Sequence, residues 1–134
     1  MATNAGARAS YTGLVRLQKL SKTRTEMEIS RLNAEMIAIG EENDALFKMQ
    51  NDRFEPNVSF VPPDIIIRRL ETNRTRQVQL IEQMTRRRQG LLKVSRTLDI
   101  LNDRLRSHET ELLRVEAAVE MDEYISQLLG RDTN

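Results

Sequence analysis

The sequence predicts an all-α protein, two long helices folded back on each other as an elongated antiparallel coiled-coil hairpin. Three observations carry this expectation. Charged residues make up 31% of the 134 positions and aromatics 4%, with no Trp, a composition of long helices rather than of a globular core. Along the second half, apolar residues recur at alternating steps of four and three, the period of a stripe that faces a partner helix. All three prolines fall in one short stretch, Phe54 to Asp64, FEPNVSFVPPD.

Taken in order, residues 1–10 are read as a flexible N-terminus and residues 11–54 as the first helix. Within it Ile29, Leu32, Met36, Ile39, Asn43 and Leu46 form a clean seam, whereas Leu17, Leu20, Arg24 and Met27 lie on another phase. A change of register near Met27 is therefore expected. Pro56 pushes Glu55 out of the α region, which stops this helix near Phe54. Residues 55–64 form the hairpin loop, and Asp64 supplies the N-cap of the next helix.

The second helix spans residues 65–129. Its seam starts at Ile66 and runs through Leu70, Asn73, Gln77, Leu80, Met84 and Arg87 to Leu91, Val94, Leu98, Leu101 and Leu105. The steps continue to His108, Leu112, Val115 and Val119. Gly130 is the expected stop, leaving residues 130–134 as a tail. Ile65, Ile66 and Ile67 are consecutive, so they cannot all face one partner. A first helix that begins at Tyr11 covers the second only to about residue 107. Leu112, Val115 and Val119 are then left as an unpartnered apolar stripe, the mark of an interaction surface.

Charge is uneven although the net value is +1. Between Asn57 and Arg106 there are eleven Arg and Lys against five acids, and from Ser107 onward seven acids against two Arg. The Arg86 to Arg88 cluster points in three directions about 100° apart on a helix, and no aromatics are interleaved. It reads as a solvated surface rather than a specific nucleic-acid site. Arg87, on the seam, is positioned to pair with Glu28 or Glu26, and His108 interrupts the same seam as a polar register residue.

One His, no Cys, no glycine-rich phosphate loop and no converging carboxylates point away from catalysis, metal binding or a cofactor. Without an apolar leader, and with Ile65 to Ile67 as the longest aliphatic run, the expectation is a soluble, unprocessed, cytoplasmic protein with no direct membrane insertion.

Two segments carry a resemblance to a known family. RVEAAVEMDEYISQLLGR (Arg114 to Arg131), with its core EAAVEMDE, follows the longer helix, and IIRRLETNRTRQ (Ile66 to Gln77) follows the loop. With the length and helix order, these make the chain similar to the FliJ and YscO group of type III secretion stalk proteins over nearly its whole length. That resemblance implies a non-catalytic coiled-coil stalk that enters the central hole of a hexameric export ATPase. It also implies a contact between the loop end and the export-gate membrane protein, and some members bind export chaperones. The gate-contact positions implied are Ile66, Leu70, Asn73 and Gln77. The stripe Leu112, Val115 and Val119 is the candidate for the ATPase ring. A general coiled-coil adaptor or chaperone, or a homo-oligomeric scaffold without a motor, fits the same residues.

Overall fold

The computed structural model describes residues 4–52 and 61–132. They form two α-helices, α1 (Asn4–Asp52) and α2 (Pro63–Asp132), and no strand occurs among the described residues. The two helices pack against each other antiparallel, so the predicted all-α helical hairpin is the observed fold. Phe54 and most of the loop lie outside the described residues.

The helix bounds differ from expectation at three points. α1 begins at Asn4 rather than at residue 11. Its first turns, NAGARAS, contain good helix formers and no Pro, and Arg8 is tied across to Glu109 at 3.5 Å. α2 begins at Pro63, not after Asp64. The Pro62 carbonyl accepts from the Ile65 and Ile66 amides at 3.1 and 3.5 Å. Pro63 suits the first helical position because its missing N–H would have no partner there. Asp64 therefore lies in the first turn, where its carboxylate complements the helix dipole. At the far end Gly130 does not stop the helix, which continues to Asp132.

The chain divides into two compact units. The unit of residues 22–93 is held by Leu32 and Ile39 of α1 against Leu80 and Met84 of α2, with Met36 packed alongside. Full burial of a side chain such as Leu80 contributes about 1.5–3 kcal/mol, and these residues are in the places that the heptad stepping assigns. Three ion pairs join Glu42, Glu35 and Glu28, one heptad apart along one flank of α1, to α2. Arg69 pairs with Glu42 in a bidentate fork, Arg76 with Glu35 at 2.7 and 3.0 Å, and Arg87 with Glu28 at 2.8 Å. The α1 partner number falls from 42 to 28 as the α2 number rises from 69 to 87, which is the antiparallel sense. Of the two acids available to Arg87, the structure selects Glu28.

In the other unit, formed from residues 1–21 and 94–134, Val15 packs on Leu98 and Leu101, flanked by Tyr11 and Val94. The rings of Tyr11 and His108 lie 5.0 Å apart at 40°. His108 is thus half-buried on the seam as an aromatic partner as well as a polar interruption.

The register shift expected near Met27 is absent. The α1 residues that turn inward are Tyr11, Val15, Gln18, Lys22, Thr25 and Ile29, an unbroken continuation of the Leu32 phase, while Leu17, Leu20 and Met27 are exposed. Polar side chains occupy seam positions there. A Lys can do so by laying its methylenes along the seam with its ammonium in water.

Candidate functional site

Two surfaces can serve interaction, one on each unit. The first lies where α2 begins. Of the four positions that the resemblance assigns to a gate contact, Ile66 and Asn73 are closed inside the seam, at 2% and 3% exposure, while Leu70 and Gln77 are half-buried. These four therefore form part of the hairpin's own packing rather than an exposed stripe. The reason is phase: they are the seam residues themselves, separated by steps of four and three.

Asn73 shows what this burial requires. Its Nδ2 donates to Asn43 Oδ1 at 2.8 Å and to Glu42 Oε1 at 3.3 Å. No buried side-chain polar atom among the described residues lacks a partner, as a low-dielectric interior demands. Hydrogen bonds from Arg69 first, and then from Asn73, hold the Glu42 carboxyl below its usual range, and the Arg69 guanidinium is raised in turn by Glu42. The Arg76 hydrogen bonds lower Glu35 in the same manner.

What is exposed here is the neighbouring face. Ile65, Ile67 and Phe47 stand open to solvent, and Phe47 and Ile67 border a shallow groove with Leu70, Gln77, Glu71 and Arg74. The requirement that at least one of Ile65 to Ile67 leave the seam is met by two, Ile65 and Ile67. Phe47 escapes a seam-based reading because it stands one residue beyond Leu46, off the stripe. The available signal was its type, since a large aromatic in an off-seam position of a chain with 4% aromatics is costly to leave wet.

The second surface lies on the last turns of α2. Because α1 starts at Asn4, it reaches further than residue 107. Leu112 is half-buried and shares an open groove with Arg8, Ala9, Thr12 and Arg16. Leu112 is therefore partly covered by α1, whereas Val115 and Val119 remain exposed on the same seam phase. Just ahead of Val115, Arg114 donates to both oxygens of Glu111, at 2.7 and 3.2 Å. That pairing lowers the Glu111 carboxyl and raises the Arg114 guanidinium. A further apolar set, Met121, Tyr124, Ile125 and Leu128, is also exposed; stepping along the seam passes it by because it lies on the other side of the helix.

Among the described residues no cluster of three or more His, Asp or Glu is placed to hold a metal ion, and no helix is long and apolar enough to cross a membrane. Fold and surfaces together define an all-α antiparallel helical hairpin that carries exposed apolar faces beside its own seam. In comparisons with protein-family models, characterised proteins and solved structures, nothing matches the chain.

Proposed function

We propose that this chain is the non-catalytic stalk of a bacterial type III protein export apparatus of the flagellar kind. In this reading it inserts into the hexameric export ATPase, meets the export-gate membrane protein, and handles export chaperones. It works in the cytoplasm, peripheral to the inner-membrane apparatus.

The observation that carries the reading is the overhang of α2. Among the described residues its last ion pair with α1 is Arg8 to Glu109, yet the helix continues to Asp132, roughly 35 Å further at 1.5 Å per residue. Val115 and Val119 face outward there on the seam phase, available to a surrounding ring. The gate contact is then made by the exposed neighbours of the buried seam, Phe47 and Ile67 with Leu70, rather than by Ile66 and Asn73. The family resemblance of Arg114 to Arg131 and of Ile66 to Gln77 supplies the identity of the partners.

The test is capture of a hexameric export ATPase by the purified chain, followed by its ATP hydrolysis rate. Val115→Ser with Val119→Ser is expected to leave helicity intact and to abolish binding and stimulation. Phe47→Ser with Ile67→Ser is expected to spare ATPase binding and to weaken capture of the gate protein's cytoplasmic part. Unchanged ATPase stimulation by the valine variant would refute the ring contact.

A further inference from the structure

Within the unit of residues 22–93, α2 carries an apolar stripe that lies beside the seam rather than on it. Ile67, Val78, Ile81 and Leu92 all stand exposed there. With Leu70 and Asn73 as a and d of the heptad, Ile67 and Ile81 fall at e, and Val78 and Leu92 at b. The other border of the seam is closed, because Arg69 and Arg76 at g are tied to Glu42 and Glu35. A two-stranded seam needs apolar residues only at a and d, and extending them to one side widens the face to that of a helix in a larger bundle.

The order of residues along this stripe says what covers it. Stepping by four and three from Ile67 to Leu92, Glu71 and Arg74 precede the central Val78 and Ile81, and Thr85 and Arg88 follow them. All four polar residues are exposed, and among the described residues Glu71, Arg74 and Arg88 take no part in the ion pairs that join α2 to α1. The pattern is therefore apolar, two polar, two apolar, two polar, apolar, and it reads the same from either end. A stripe of that kind is complementary to itself when reversed. Laid parallel, two copies would set Glu71 on Glu71 and Arg88 on Arg88. Laid antiparallel, acid meets base and apolar meets apolar, and the helix dipoles oppose as well.

We propose that the chain self-associates as a two-fold dimer through this lateral face of α2, with the axis passing between Gln79 and Leu80. That axis sets Ile67 of one copy across from Leu92 of the other, Val78 across from Ile81, Arg74 across from Thr85 and Glu71 across from Arg88. Every contact occurs twice, as an isologous interface requires. Glu71 also stands one turn from Arg74 on its own helix, so its carboxylate lies between two guanidiniums, one from each copy. Sliding by one heptad breaks the match, setting Glu71 against Ile81 or Arg88 against Val78, and longer slides leave part of the stripe uncovered. The overlap engages about 40 Å of helix from each copy. A single helix-on-helix contact falls below the area of a standard stable interface, so the dimer exchanges with monomer. Val115 and Val119 take no part, and of the residues in the gate contact only Ile67 is shared, so the central Val78 and Ile81 test the dimer alone.

Sedimentation of the full chain across micromolar to submillimolar concentration is expected to show a monomer–dimer equilibrium. Val78→Ser with Ile81→Ser is expected to weaken it by about tenfold or more, with circular dichroism unchanged, since both side chains are exposed and Ser has a helix propensity close to theirs. Glu71→Arg and Arg88→Glu should each weaken it, and their combination should restore it, since a swapped pair regains attraction. The chain has no Cys, so a mixture of Ile67→Cys and Leu92→Cys copies should form a disulfide-linked dimer on mild oxidation, while neither variant alone should. A monomer at every concentration overturns the proposal. So does a dimer indifferent to the Val78 and Ile81 changes, or cross-linking of either Cys variant with itself, which would set the copies parallel.

Discussion

Replacing the buried Asn layer by leucine is expected to make this protein more stable and less particular about its partners. Asn73 is almost fully enclosed, and its amide is satisfied by Asn43 and Glu42. Such a layer exchanges water hydrogen bonds for protein ones at a net gain of about 0.5–1.5 kcal/mol each, less than apolar packing of the same volume provides. In Asn73→Leu alone, burial of the new side chain contributes about 1.5–3 kcal/mol, but Asn43 loses its donor at a cost of about 1–3 kcal/mol. The two nearly cancel. In the double variant Asn43→Leu with Asn73→Leu the cost disappears, while Glu42 keeps its bidentate Arg69. A gain of about 1–3 kcal/mol should remain, since replacing both partners of a buried polar pair is neutral or stabilising. Urea titration followed by helical circular dichroism measures it in all three proteins. Sedimentation of the double variant should then show mixed oligomers, because a polar seam residue fixes register and partner number. A double variant less stable than the native protein would refute the reasoning and make the Asn layer a net stabiliser.

Gly40→Ala and Gly90→Ala should each raise stability by about 0.5–1 kcal/mol, because a Cβ at either position meets nothing within 4 Å and neither has positive φ; a fall in the urea midpoint would show that the native packing needs the glycine. Acid should weaken the fold through Glu35 and Glu42, which Arg76 and Arg69 hold below the usual carboxylate value of 4.5. The unfolded chain then takes up protons at higher pH than the folded one, so the contribution is complete above that value and is lost as pH falls through it towards the depressed folded pKa values. Glu35→Gln with Glu42→Gln should flatten the acid limb of the stability profile, and added salt should shrink the difference, since both pairs are partly exposed.

The α2 seam was legible because its residues repeat without a skipped step, and burial of Ile66, Leu80, Met84, Leu98 and Leu101 follows the stepping. α1 was legible only in its second half. There the seam residues are apolar; in the first half Gln18, Lys22 and Thr25 take the seam, and Leu17 and Leu20 look outward. Periodicity reads hydrophobicity and not direction, so it followed the leucines onto the wrong face. The same limit bears on the positions proposed for a gate contact. Ile66 and Asn73 satisfy a heptad pattern, and a residue that satisfies it is spent on the partner helix, so an exposed contact must be sought one residue to the side. Phe47 and Ile67 stand there.

That displacement gives a general reading of where this hairpin can bind. Within the unit of residues 22–93 the seam tolerates Asn73 and Arg87 because α1 supplies their polar partners. Several of the apolar residues left over stand singly, Leu17, Leu20 and Met27 among them, but three sets, besides the lateral stripe of α2, stand together. Ile67 and Phe47 collect beside the start of α2, and Val115 and Val119 extend the seam past the last α1 ion pair. Met121, Tyr124 and Leu128 occupy the reverse side. Each exposed apolar side chain of this kind forgoes burial worth about 1.5–3 kcal/mol, so three separate groupings on a chain whose charged residues reach 31% are expensive to keep without partners. A sequence needing only a stable hairpin could place Glu, Lys or Gln at all of them at no cost to the seam. The economical account is that the seam specifies the hairpin and the leftover faces specify what it meets, a division that puts interaction residues off the heptad in the paired region and on it only in the overhang.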